Sequence, residues 1–294
     1  MEDIFQKIIN FYIKGKSKLF YKFLFIVFKN FIKGPFVLNF GEYKLYAYGN
    51  RKDLSRWMLK KLQPWDFDKV NKLKNIIKNT NSLFVDCGSN FGVYSIIIAS
   101  LCKNTKVVSF DASSKFIKRL EENINLNNLT TVETHNLGIS SVNSEQYFND
   151  NDYNFKNLGS YRFEETPNSK IIKTIALDNF FQNKNLGQYA NIVFKLDIEG
   201  YEYQALLGMT NIIKNYKPII LIEISRMLLV SKNFSRANFE KYINNHELKI
   251  LDQDGLFIST NSLFDKFNKL SSEHDTIGDY FLVNKNRILQ FNNR

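Results

Sequence analysis

Apolar residues recur along the middle of the chain as short unbroken runs rather than as a long stripe. Leu83-Phe84-Val85, Val107-Val108-Ser109-Phe110, Ile192-Val193-Phe194 and Ile219-Ile220-Leu221-Ile222 are each bounded by polar or turn residues. Runs of this length without polar alternation read as strands buried on both faces. Between them, residues 95–101, 113–127 and the segment from Tyr201 through Leu206 and Leu207 read as helices. Strand alternating with helix predicts an α/β fold with a mostly parallel sheet and helices on both faces. Asp279-Tyr280-Phe281-Leu282-Val283 reads as a last strand, and Leu248–Leu251 with residues 256–258 as a hairpin turning at Asp252-Gln253-Asp254-Gly255.

The pattern changes at both ends of the region before the core. Leu19, Phe20, Phe23, Leu24, Val27, Phe28 and Phe31 share one helical face, with Lys18, Lys22, Lys29 and Lys33 opposite. The apolar run 23–28 is far short of the ~20 residues a membrane span needs. Two fates suit this basic stripe: packing on the domain or a second subunit, or lying on an anionic membrane surface through residues 16–33. Gly34-Pro35 ends it. Residues 36–48 alternate loosely and read as a hairpin turning at 39–42, and Pro64-Trp65-Asp66 opens a helix reaching about Lys78. Three parts are expected: a basic helical extension over 1–34, a hairpin and helix over 35–79, and the main domain over 80–294. Within the last, residues 140–177 interrupt the alternation with polar turns and aromatics (Tyr147, Phe148, Tyr153, Phe155, Tyr161, Phe163). A long excursion there suits an acceptor-binding insertion or lid, or an ordinary hairpin packed on the core.

Composition adds little to this picture. The chain has 294 residues, 44% hydrophobic and 15% aromatic, enough for a sizeable core. Its net charge of +11 is spread along the chain, with no helix-turn-helix, zinc spacing or RNA-binding aromatic motif. Nucleic acid is therefore not an expected partner. Two cysteines, Cys87 and Cys102, make no disulfide framework and are read as reduced, in a cytoplasmic protein. No metal cluster of histidines and cysteines is visible, although carboxylates near a site could bind Mg²⁺.

The chemistry concentrates at Asp86-Cys87-Gly88-Ser89-Asn90-Phe91-Gly92-Val93-Tyr94-Ser95. A strand ends in a glycine turn that leads into a helix. Such a turn lets the backbone approach a ligand, and the helix start offers unpaired N–H groups. The spacing is D-x-G-x-N-x-G, not the G-x-G-x-x-G of a dinucleotide site, and it suits S-adenosylmethionine better than NAD. Asp111 ends the next strand 25 residues after Asp86, where an acid binds ribose hydroxyls; the alternative is capping of the following helix. A charged turn, Lys195-Leu196-Asp197-Ile198-Glu199-Gly200-Tyr201-Glu202, follows the Ile192 run, and Glu223 lies at the end of the Ile219 run.

Together these segments resemble the FkbM family of S-adenosylmethionine-dependent methyltransferases. The family's D-x-G-x-N-x-G, its L-D (Leu177-Asp178), its K-x-D-x-E-G-x-E with L-x-G downstream (Leu206 to Gly208), and its P-x-x-x-x-E (Pro218 to Glu223) all occur in order. The resemblance covers residues 80–225 well and fades over the last 60. Where the family often has Glu-Pro after the second strand, this chain has Asp111-Ala112. The resemblance implies a Rossmann-like, seven-stranded, mostly parallel sheet of the class I methyltransferase type, with the last strand antiparallel. It also implies O-methylation of a small molecule or saccharide. The expected cofactor site is Asp86, Gly88, Ser89, Asn90, Gly92, Tyr94, Ser95, Asp111 and Ala112, with Asn136 near the adenine. The expected catalytic set is Asp197 as base, Lys195 orienting it, Glu199 and Glu223 beside it, and His135 as a weaker candidate. The acceptor class is a sugar of a surface polysaccharide or glycolipid, presented free, as a nucleotide-sugar or lipid-linked. A homodimer and a place at the inner face of the membrane are compatible with it. N- or RNA methylation and a non-catalytic cofactor-binding scaffold stay open as alternatives.

Overall fold

The computed structural model describes residues 2–13, 21, 33–48, 54–149, 169–225, 234–267, 276–288 and 291. Residues 16–20 and 22–32, which carry the aromatic stripe, and the aromatics Tyr153, Phe155, Tyr161 and Phe163 lie outside the described residues.

An eight-stranded sheet carries the fold. Its parallel half is β5 (Val132–His135), β4 (Thr105–Phe110), β3 (Ser82–Cys87), β9 (Asn191–Leu196) and β10 (Ile219–Ser225), adjacent in that order. Beyond β10 come β13 (Thr276–Asn284), β11 (Leu248–Leu251) and β12 (Phe257–Ile258). β13 runs antiparallel to both β10 and β11. The expected seven strands are present, and the two-residue β12, the far arm of the expected 248–258 hairpin, adds an eighth at the edge.

The strands are apolar throughout because both faces are covered. Along β3, Leu83, Val85 and Cys87 join one core cluster while Phe84 joins the other. This is the period of two expected of a strand packed between helix layers. Helices α3 (Phe67–Ile77) and α4 (Val93–Leu101) cover one face. On the other lie α6 (Leu177–Phe181), α7 (Glu202–Leu207), α8 (Thr210–Tyr216) and α9 (Arg236–Asn245). The helix expected from Pro64 starts at Phe67, and a further helix, α2 (Leu54–Lys61), precedes it. Remaining elements are α1 (Glu2–Ile13), α5 (Ser114–Leu126) and α10 (Thr260–Phe267). Among the described residues, no helix is long and apolar enough to cross a membrane. Cys87 and Cys102 are buried and free.

The hairpin over 36–48 forms as expected, from β1 (Phe36–Asn39) and β2 (Lys44–Ala47). Asparagines on α5 tie it to the core. The Asn127 amide bonds both backbone groups of Lys44, and Asn123 accepts from Tyr46 N while donating to the Phe91 carbonyl. Gln6 in the same way bonds both backbone groups of Val37, seating α1 on β1.

The excursion after β5 is a separate three-stranded sheet of β6 (Gly138–Ile139), β8 (Lys170–Ile175) and β7 (Ser144–Phe148). β7 and β8 form an antiparallel pair, with Ser144 opposite Thr174 and Phe148 opposite Lys170. The hydroxyl of Tyr201 donates to Gln146, tying β7 to the start of α7.

Candidate active site

A cavity opens at the carboxyl ends of β3, β4, β9 and β10, where ligands bind in open α/β sheets. One end is the glycine turn. Gly88, Asn90 and Gly92 all have positive φ, at 79°, 51° and 90°. The N–H groups of Gly88 and Ser89 both donate to the Phe110 carbonyl, fastening the turn to the end of β4. A Cβ on Gly88 would lie 1.8 Å from the carbonyl oxygen of Asp197, so only glycine lets β3 and β9 close here. Ser89 is 4% exposed, lines the cavity, and its hydroxyl has no protein partner. A buried hydroxyl without a partner is costly unless a ligand completes it.

Asp111 stands opposite. One carboxylate oxygen accepts from Asn90 N and the other from Ser113 N, both at 2.8 Å. Burial pushes its pKa up to about 7. The side chain thus shapes the glycine turn and starts the α5 turn while still facing the cavity; each oxygen keeps a lone pair for a ligand.

The other end is acidic. Asp197 ends β9, and its carboxylate lies 3.1 Å from the Lys195 ammonium. Lys195 also reaches Asp86 at 3.5 Å and donates to the Gly88 carbonyl at 3.1 Å. Burial alone would favour the neutral amine, but Asp197 and Asp86 hold it protonated, with its pKa raised. Its ammonium sits 5.1 Å from the Tyr94 ring centroid. Glu199, in a left-handed conformation with φ 57°, and Glu223, in the last half of β10, complete this end. Oxygens of Asp197, Glu199 and Glu223 lie within 4.8 Å of one another, a spacing that a divalent cation could also bridge. Burial, and then repulsion from neighbouring acids, pushes both glutamates well above the ordinary carboxylate range.

The structure brings Gly88, Ser89, Asn90, Tyr94, Asp111, Ala112, Lys195, Asp197, Glu199 and Glu223 to one cavity. Five expected residues stand off its wall. Asp86 is fully buried, taken up by the Ser95 hydroxyl at 2.6 Å and by Lys195, its register partner on β9. Ser95 is buried between Asp86 and Ser109. Gly92 makes room for Leu120, whose Cδ1 would lie 2.2 Å from an added Cβ. Asn136 donates to the carbonyls of Asp111 and Ala112, bracing the turn after β4. His135 stacks on Phe110 and bonds Glu133 at 2.7 Å on the edge strand. It does not line the cavity.

Sequence reasoning did not foresee Leu54, at the start of α2, and Trp65, in the turn between α2 and α3, which both line the cavity. Phe148 of β7, one of the aromatics singled out in the excursion, also lines it and is 2% exposed.

A family model described as a methyltransferase FkbM domain matches residues 86–256, more than half of the chain. The chain belongs to the FkbM family of S-adenosylmethionine-dependent methyltransferases. No curated protein matches it. Among solved structures, methyltransferase FkbM from Methylobacillus flagellatus KT is 15% identical over 78% of this chain and 52% of that one, with a TM-score of 0.40. TehB from Haemophilus influenzae is 13% identical over 80% and 68%, with a TM-score of 0.40. A SAM-dependent methyltransferase from Aquifex aeolicus is 11% identical over 76% and 92%, with a TM-score of 0.37. The chain spans about half the length of the Methylobacillus protein.

Several FkbM motif positions build scaffold here. Asp178 accepts from the backbone N–H groups of Asn211 and Ile212, both at 2.9 Å, satisfying the first turn of α8. Gly208 allows the Ser140 carbonyl to approach within 2.2 Å of where a Cβ would stand. Glu202 is fully buried and accepts from Ile198 N and Gly200 N, which fixes the turn that presents Asp197 and Glu199. Burial pushes its pKa up to about 7.

Proposed function

We propose that this FkbM methyltransferase transfers the methyl group of S-adenosylmethionine to a hydroxyl oxygen of a sugar in a surface polysaccharide or glycolipid. One observation carries the reading: the glycine turn and the carboxylates Asp197, Glu199 and Glu223 line the same cavity. The residues fit the cofactor. Ser89 offers a buried unpartnered hydroxyl, Gly88 leaves no side chain over the turn, and Asp111 faces the cavity with lone pairs suited to ribose hydroxyls. When bound, S-adenosylmethionine supplies a methyl carbon made electrophilic by the adjoining sulfonium.

The chain's own residues hold the acceptor in line and receive its proton. Trp65, Tyr94 and Phe148 provide ring surface against which a sugar face can stack. Asp197 accepts the hydroxyl proton or fixes the hydroxyl by a hydrogen bond, and Lys195 positions its carboxylate. The acid cluster favours oxygen over nitrogen as the acceptor atom. Carboxylates stabilise an ammonium, which has no lone pair for attack, whereas a neutral hydroxyl donates to a carboxylate and keeps its nucleophilic pair.

The test is transfer of labelled methyl to neutral, nucleotide-linked and lipid-linked sugars, comparing the native chain with Asp197→Asn. Turnover should fall by about 10²–10⁴-fold, the usual share of a positioned base, with cofactor affinity nearly unchanged. Full activity of the variant on a verified acceptor would remove Asp197 from the role.

A further inference from the structure

We infer, on the sugar-methylating reading above, that the acceptor is a glycan chain of at least two units and not a nucleotide-sugar. The cavity takes the unit to be methylated, and a groove beside it holds the neighbouring unit.

The groove is built where α2 turns into α3. Trp57 of α2, Gln63 and Trp65 of the turn, Phe67 and Asp68 at the start of α3, and Gln253 of the β11–β12 turn line it. Trp65 lines the cavity as well, so it is a wall common to both spaces. Beside it, Tyr94 of the cavity donates its hydroxyl to Asp66 of the groove at 3.1 Å. One layer of side chains thus divides the two, and a ligand longer than the cavity passes over Trp65 into the groove.

Trp57 and Trp65 are the chain's only two tryptophans. Both pack on the core cluster yet stay partly exposed. Their ring centroids lie 4.9 Å apart with the planes at 79°, which sets two ring surfaces nearly at right angles. Phe67, 40% exposed, adds a third. Gln63, Asp68 and Gln253 place exposed amide and carboxylate groups around these rings. Lys72 of α3 donates to the Gln253 carbonyl, which fixes the β11–β12 turn against α3.

This combination suits a saccharide. A pyranose presents an apolar C–H face to a ring, and its hydroxyls meet amides and carboxylates at the rim. It does not suit a diphosphate. Among the described residues that line the groove, Lys69 is the one cation, and Asp66 and Asp279 both hold it. A nucleotide diphosphate would find no free cation there and would face Asp66 and Asp68.

Because both tryptophans stand at this groove, intrinsic fluorescence reads its occupancy. The full chain with bound S-adenosylhomocysteine is titrated with glucose, galactose and N-acetylglucosamine, with their disaccharides and tetrasaccharides, and with UDP-glucose. Tetrasaccharides should shift the emission and bind at least about tenfold more tightly than the single sugars, the scale of one further ring contact with its buried area. Trp57→Ala, and separately the double variant Gln63→Ala/Gln253→Ala, should lose that length preference while S-adenosylhomocysteine affinity in calorimetry stays native. Equal affinity for short and long sugars, or tighter binding of UDP-glucose than of any tetrasaccharide, would overturn the inference and leave sugar methylation standing. A length preference kept by both variants would do the same. No response to any sugar while S-adenosylhomocysteine binds would overturn the inference and the sugar acceptor together. If Trp57→Ala does not fold, the double variant, whose two side chains are exposed, decides alone.

Discussion

The two ends of the cavity are made by different means. At the glycine turn the backbone does the work: three positive φ angles, N–H groups tied to Phe110, and a contact with Asp197 too close for any Cβ. At the carboxylate end the side chains do it, with Asp197, Glu199 and Glu223 gathered around one another and a single lysine braced between Asp197 and Asp86. A backbone-built end tolerates little change because a substitution moves the chain itself. A side-chain-built end can be altered one charge at a time. Damage at the first should therefore appear in binding and folding, and damage at the acids of the second in turnover, while the buried lysine beneath them serves stability.

The sharpest way to break this contrast is Gly88→Val. The new side chain would displace the Asp197 backbone, so the variant should lose measurable cofactor binding in calorimetry and unfold at a lower temperature. Retention of native affinity would refute the close-approach argument. Next comes Lys195→Met. It leaves Asp86 and Asp197 without their shared cation, and urea unfolding should show a loss of about 3–5 kcal/mol, the scale of an uncompensated buried charge. A smaller effect is expected for Asp111→Ala. Cofactor binding should weaken by about 1.5–3 kcal/mol, the range for hydrogen bonds to a charged group. Smallest is Asp178→Ala, which removes two acceptors from the start of α8 and should cost about 1 kcal/mol in stability. Its cofactor affinity should stay native, because Asp178 serves the fold and not the cavity.

The same contrast explains what could be read from the chain alone. Gly88, Asn90 and Gly92 were legible because positive φ and close backbone approach are written in residue type. Asp197 and Glu223 were legible because acids that close an apolar run lie toward the carboxyl edge of a parallel sheet. Asp86 lies one layer beneath the cavity wall. Strand register pairs it with Lys195, so the two satisfy each other beneath the turn. His135 also sits at a strand end, but Glu133, two residues earlier on the same face, captures its ring nitrogen. Trp65 and Leu54 reach the cavity only through packing of the N-terminal helices, and no local spacing announces that contact. The L-D and L-x-G elements belong to the family resemblance, yet only the fold shows that Asp178 and Gly208 secure a helix start and a backbone crossing.

The central claim is that the glycine turn serves an S-adenosyl ligand. The most direct measurement is calorimetric titration of the folded chain with S-adenosylhomocysteine, with NAD⁺ as the control. The account predicts saturable micromolar binding of the first at one site per chain and no heat from the second. A folded chain that ignored S-adenosylhomocysteine, or bound NAD⁺ in its place, would contradict it.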